Sequence, residues 1–276
     1  MGTSKQFPTP SGGPWTPLKN DISAYLDGDK KVTPNTVVGG TLRALGGLNV
    51  APPGRATANA ARGPGGTGAG RHGGGGGGGG GGARATGRGS VGRAASGLGG
   101  FGAAVREGGL DAGLLALGLD ELRGRPPAEV IDRIADHLAE GADPTQYDLL
   151  YDALKTSILE AAALGAQSGF QDLDAALRGF LDRHGVEGLV QSYLSNYVYG
   201  RVWMAVENHV EMKTNGGPSG QAMSIAVGNA CRSHVGDLIR EIKDAGRFEK
   251  VDWFGREGAR LGNELVSELE GRLKAQ

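Results

Sequence analysis

Ten consecutive glycines, Gly73 to Gly82, limit what this chain can build. Glycine loses more backbone entropy on ordering than any other residue and carries no side chain to bury. The sequence around the run is similar in kind. Residues 51–90 are mostly Gly, Ala, Arg and Pro, the composition of a disordered linker. Forty residues of such chain have an r.m.s. span of roughly 35 Å. With 53 glycines among 276 residues, the foldable length lies mainly after residue 100, which is ample for one core.

Charge divides the chain in the same place. Residues 30–106 contain Lys30, Lys31, Arg43, Arg55, Arg62, Arg71, Arg84, Arg88, Arg93 and Arg106 and no acid, a net charge of +10. The whole chain is −1 and residues 1–29 are −1, so residues 107–276 carry −10. A basic, flexible segment joined to an acidic folded region implies two different jobs.

Periodicity makes the folded part all-α. Residues 1–17 read as an extended tail, punctuated by Pro8, Pro10, Pro14 and Pro17. Residues 18–50 read as two short helices. Thr16 caps the first, with Pro17 at its first position, and it runs from Leu18 to Leu26. Thr33-Pro34 starts the second, which presents Val37, Val38, Leu42 and Leu45. After the linker, residues 91–276 read as an acidic, bundle-like domain of five to seven helices. Ser90 starts a small-residue helix, residues 109–119 form a short one, and Arg125-Pro126-Pro127 and Asp143-Pro144 each start another. The stripe Phe170, Leu173, Leu177, Phe180 and Leu181 stops at His184-Gly185. An aromatic helix follows, carrying Tyr193, Tyr197, Tyr199 and Trp203. A helix over 220–243 carries Ile225, Ala226, Val235, Leu238, Ile239 and Ile242, and a last one starts at Trp253.

No catalytic constellation emerges. The histidines His72, His137, His184, His209 and His234 show no HExxH spacing, and a single cysteine builds no usual structural zinc site, so no metal or cofactor is expected. Cys231 and His234 have the spacing of a helical Cys–His pair, but Cys231 reads as a buried, inert thiol. No G-x-x-x-x-G-K-[ST] loop is present, and the aromatic stripe reads as core. The chain is therefore read as non-enzymatic. One cysteine, a proline-rich start with no secretory signal and no apolar run of membrane-spanning length point to the cytoplasm, away from membranes.

The N-terminus is the remaining candidate site. Gly2 is small enough for aminopeptidase removal of Met1, which exposes an α-amino group with a pKa near 8. Gln6 occupies the position where N-myristoylation requires Ser or Thr. The opening Met1-Gly2-Thr3-Ser4, the sequel Ser11-Gly-Gly-Pro-Trp15-Thr-Pro17-Leu18 and a Gly-rich region before an acidic helical domain resemble the B component of the Qat anti-phage defence systems. Residues 112–120, followed by Pro126-Pro127-Ala-Glu-Val-Ile-Asp, are similar in style.

The resemblance implies partners encoded together: an ATPase, a QueC-like enzyme and a TatD-like nuclease. It implies that the QueC-like enzyme attaches a deazaguanine-type group to the Gly2 amine. Thr3, Ser4, Pro14, Trp15 and Pro17 would then serve in partner recognition. The alternative reading is a nucleic-acid-associated scaffold, in which the arginines of the linker neutralise phosphates. That segment lacks the aromatics that would stack on bases.

Overall fold

The computed structural model describes residues 12–49, 89–165, 172–248 and 251–276. Among the described residues the fold is all-α, with nine helices and no strand. They are α1 (Trp15–Leu26), α2 (Pro34–Leu45), α3 (Ser90–Gly108), α4 (Leu110–Leu117), α5 (Pro127–Ala139), α6 (Pro144–Gly165), α7 (Leu173–Thr214), α8 (Pro218–Asp244) and α9 (Arg256–Lys274). A single 3₁₀ turn, Asp120–Leu122, separates α4 from α5.

Proline and glycine set most of the ends. Pro34, Pro127, Pro144 and Pro218 stand at first helical positions, where the missing N–H has no intrahelical partner to lose. Thr33 caps α2, its Oγ1 accepting from the Thr36 amide at 3.3 Å, and Gly46 ends the helix at φ 80°. Gly185 interrupts α7 at φ 68°, so the chain passes from one helix to the next through one residue, at the stop expected from His184-Gly185.

Three expectations shift. The first helix begins at Trp15, not after Thr16, because the Trp15 amide bonds the Gly12 carbonyl at 3.0 Å. Pro17 then falls within the first turn, where its missing donor costs nothing. Ile225 is 58% exposed. The buried stripe of α8 runs through Met223, Val227, Cys231 and Val235, and Ile225 lies midway between two of its rungs. Trp253 precedes α9 instead of opening it. Its carbonyl accepts from Ser96 Oγ, its ring would collide with any side chain at Gly99, and Asp252 Oδ1 accepts from the Gly255 amide at 3.0 Å. Phe170 lies outside the described residues.

The long helix α7 is the axis, touched by α1, α2, α3, α4, α6 and α8. Helix α3 crosses α9 where both carry glycine. A Cβ on Gly262 would sit 2.2 Å from the Gly92 carbonyl oxygen, and one on Gly92 2.8 Å from the Asn263 nitrogen. This is backbone-on-backbone packing that only glycine permits.

Helices α1 and α2 belong to the same core. Trp15, Leu18, Ile22, Val37, Val38, Leu42, Leu45 and Leu48 are buried in one cluster with the residues of α3 to α9. The chain leaves that core after α2 and returns to it at α3 on adjacent turns of α7. Tyr197 Oη donates to the Leu48 carbonyl at 2.8 Å, and Tyr193 Oη donates to the Val91 carbonyl at 3.1 Å. Arg201, also buried, reaches the Gly47 carbonyl. On α9, Glu270 accepts from the Leu48 amide at 3.0 Å, one side of the same exit. Residues 51–88 of the segment read as a linker lie outside the described residues, but its two feet are neighbours. It does not space the N-terminal helices away from the acidic helices.

Candidate functional site

Gly2, which the resemblance implies as acceptor, and its neighbours Thr3 and Ser4 lie outside the described residues. The remaining sequence-predicted recognition residues cluster at the first turn of α1. Pro14 and Pro17 are exposed, whereas Trp15 is 5% exposed and packs in the core. Trp15 is thus an anchor that fixes where the tail leaves the body. A partner that follows the tail inward meets Gly12, Gly13, Pro14 and Pro17 at the surface and finds the Trp15 ring already occupied. Burial lowers the imidazole pKa of His209 on α7, and a hydrogen bond with the Lys19 backbone of α1 acts in the opposite direction.

The remaining candidates of the sequence are Cys231, the histidines and the aromatic stripe. Cys231 is fully buried, and burial pushes its thiol up to about 12, so no thiolate forms at neutral pH. No hydrogen bond links it to His234 among the described contacts. Among the described residues no group of three His, Cys, Asp or Glu side chains is placed to hold a metal ion. Among the described residues no helix is long and apolar enough to cross a membrane.

The aromatic stripe divides in two. Tyr193 and Tyr197 are core, and burial raises both phenol pKa values, Tyr197 to about 12. Tyr199 and Trp203 are half-buried and stacked, with ring centroids 6.2 Å apart. Tyr199 Oη and Ser224 Oγ share a hydrogen bond of 2.7 Å.

Tyr199 closes one end of a furrow that sequence reading missed. Helix α7 forms its floor, α6 one wall and α8 the other. Two hollows of about 230 and 200 Å³ share Ser195, Asn196 and Arg232 and so run together. The floor is polar and internally satisfied. Ser192 Oγ donates to Glu160 Oε2 at 2.7 Å, and Asn196 Nδ2 donates to the same oxygen at 3.1 Å and to Ser157 Oγ at 3.1 Å. Leu164, 61% exposed, and Ile225 stand on opposite walls. Arg232 lies between them at the surface, bonded only to Asn229 Oδ1 at 3.4 Å among the described contacts. In this floor the Ser192 hydroxyl, the Asn196 amide and the Glu160 carboxylate bond one another. The sequence signal for these residues was weak, since Leu164 and Ile225 are single apolar positions off their helices' stripes.

A family model described as Qat anti-phage system associated protein QatB matches residues 77–257. The match begins within the glycine run, covers α3 to α8 and ends at the start of α9. No curated protein and no solved structure matches the chain.

Proposed function

The chain belongs to the QatB family and is a component of an anti-phage defence system, and within that system we propose that it acts without catalysing a reaction, as a binding partner modified at Gly2. The family match over residues 77–257 supports the place in a defence system, and the acceptor role of Gly2 rests on the resemblance of the opening Met1-Gly2-Thr3-Ser4. The partner is a QueC-like enzyme. That class of enzyme activates a carboxylate with ATP and passes it to an amine. Here the Gly2 nitrogen attacks the activated carboxyl carbon, an amide bond forms, the ATP-derived group leaves with the carboxyl oxygen, and the amine gives up a proton to solvent.

Two features of the molecule support the reading. A terminal amine with a pKa near 8 has an appreciable neutral, nucleophilic fraction at pH 7. The tail that bears it starts from a fixed point, the exposed turn ahead of buried Trp15. Thirteen residues, 2–14, separate the amine from that anchor, a reach of at most about 45 Å at the extended limit. The enzyme must therefore work close to the helical body. Thr3, Ser4, Pro14 and Pro17 are the side chains it meets along the way. The ATPase and the TatD-like nuclease are further partners on this reading, and the setting is the cytoplasm.

Purified chain, QueC-like enzyme, ATP and a deazaguanine carboxylate test the reaction directly. ATP consumption that depends on the chain is expected, with loss of that dependence when the N-terminal amine is acetylated. Equal consumption with the blocked chain would overturn the assignment.

A further inference from the structure

We infer that α7, α8 and α9 form a receptor surface for a two-helix ligand, and that the ligand it holds is the chain's own residues 12–49, kept in place by packing and not by the glycine-rich connection. Helix α2 lies across α8 and α9 and also meets α7, while α1 bridges α7 and α8. Eight apolar side chains from Trp15 to Leu48 are buried there. The contact is also keyed by polar groups. Arg43 Nη1 donates to the Lys274 carbonyl at 2.6 Å, and Lys274 Nζ donates to the Gly46 carbonyl at 3.1 Å. A side-chain carbon on Gly39 would sit 2.7 Å from the Leu273 carbonyl oxygen, so α2 and α9 meet backbone to backbone.

The covalent path between the two pieces is not what brings them together. Their facing ends, Leu48 and Val91, sit on Tyr197 and Tyr193, four residues apart on α7 and so separated by about 6 Å along its axis. On α9 Leu48 meets Glu270 and Gly92, the neighbour of Val91, lies against Asn263, two positions about 10 Å apart. A connection of forty residues is several times longer than this gap needs, since its unconstrained span is roughly 35 Å. The family match stops short of α1, α2 and nearly all of α9, so this receptor-and-ligand layer lies largely outside the matched region. The inference is independent of any modification at Gly2.

The experiment replaces part of the run Gly73 to Gly82 with the recognition site of a sequence-specific protease in the full-length chain. After complete cleavage, gel filtration at micromolar concentration should show both fragments in one peak at the uncut position, with one thermal transition and an unchanged helical signal. Fragments in separate peaks, or loss of the helical signal on cutting, would overturn the proposal. Two companion chains guard against false readings. Leu42→Ala should release the N-terminal fragment at least tenfold more readily once cut while the uncut variant stays folded, and retention as tight as in the parent would point to non-specific association. Replacing residues 51–88 with eight Gly/Ser residues, whose r.m.s. span is about 16 Å, should leave a folded monomer. A chain that fails to fold would contradict neighbouring feet.

Discussion

Tyr197→Phe isolates the hydrogen bond that holds the exit of the glycine-rich segment. The hydroxyl donates to the Leu48 carbonyl at 2.8 Å, and both residues are buried. Phenylalanine keeps the ring, so packing changes little and the carbonyl loses its donor. A buried polar group left unsatisfied costs about 1–3 kcal/mol. For a folded region of this size each kcal/mol moves Tm by about 2–4 °C, so a central loss of about 2 kcal/mol lowers Tm by about 4–8 °C. Tyr199→Phe is the control. Its hydroxyl bonds Ser224 where the ring is half-exposed, water replaces the partner, and the cost stays within about 0.5 kcal/mol. The two variants are compared by thermal melting and urea unfolding. A Tyr197→Phe chain no less stable than Tyr199→Phe would refute the idea that this bond pins the exit. The same residue links stability to alkaline pH. Burial raises the folded-state Tyr197 pKa to about 12 from an ordinary 10. The stabilisation is therefore complete below pH 10 and is lost as pH rises towards 12. The alkaline fall in stability should be shallower in Tyr197→Phe than in the parent.

The lone cysteine and the glycine crossing yield further tests. Cys231, buried and with its thiol pushed up to about 12, should resist iodoacetamide at neutral pH in the folded chain and react fully once urea has unfolded it. Rapid alkylation of the native protein, followed by mass, would contradict its burial. Gly262→Ala places a Cβ 2.2 Å from the Gly92 carbonyl oxygen and should cost about 1–3 kcal/mol by forcing α3 and α9 apart, read as a lower urea midpoint. Gly271→Ala, with open space at its Cβ, should be neutral or stabilising by the same measurement.

Local chemistry made the helices legible, and long-range packing hid what positions them. Pro34, Pro127 and Pro144 announce first turns because proline fixes φ and lacks the donor that a first turn does not use. Gly185 announces the break in α7 because it adopts the left-handed φ of 68° that few other residues tolerate. The start of α1 was harder to read, since it depends on a Gly12 carbonyl and on the burial of Trp15. Ile225 was misleading because it lies two residues, about half a turn, from both Met223 and Val227 of the buried stripe and so faces away from it. The neighbouring feet could not be read locally at all. Tyr197 meets Leu48 across 149 positions, and Tyr193 meets Val91 across 102. The furrow likewise arises from three helices brought together, with no motif of its own.

With α1 and α2 built into the body, only residues 3–14 separate Gly2 from buried Trp15, and the glycine-rich segment does not lie between them. On the proposed reading the chain should carry the product of the reaction when its partners are present. Intact-mass and N-terminal peptide analysis of the chain, purified from cells expressing the complete operon, tests this most directly. The expected result is loss of Met1 and a deazaguanine-sized adduct on Gly2, absent when the QueC-like enzyme is inactivated. An unmodified Gly2 beside an active enzyme would contradict the account.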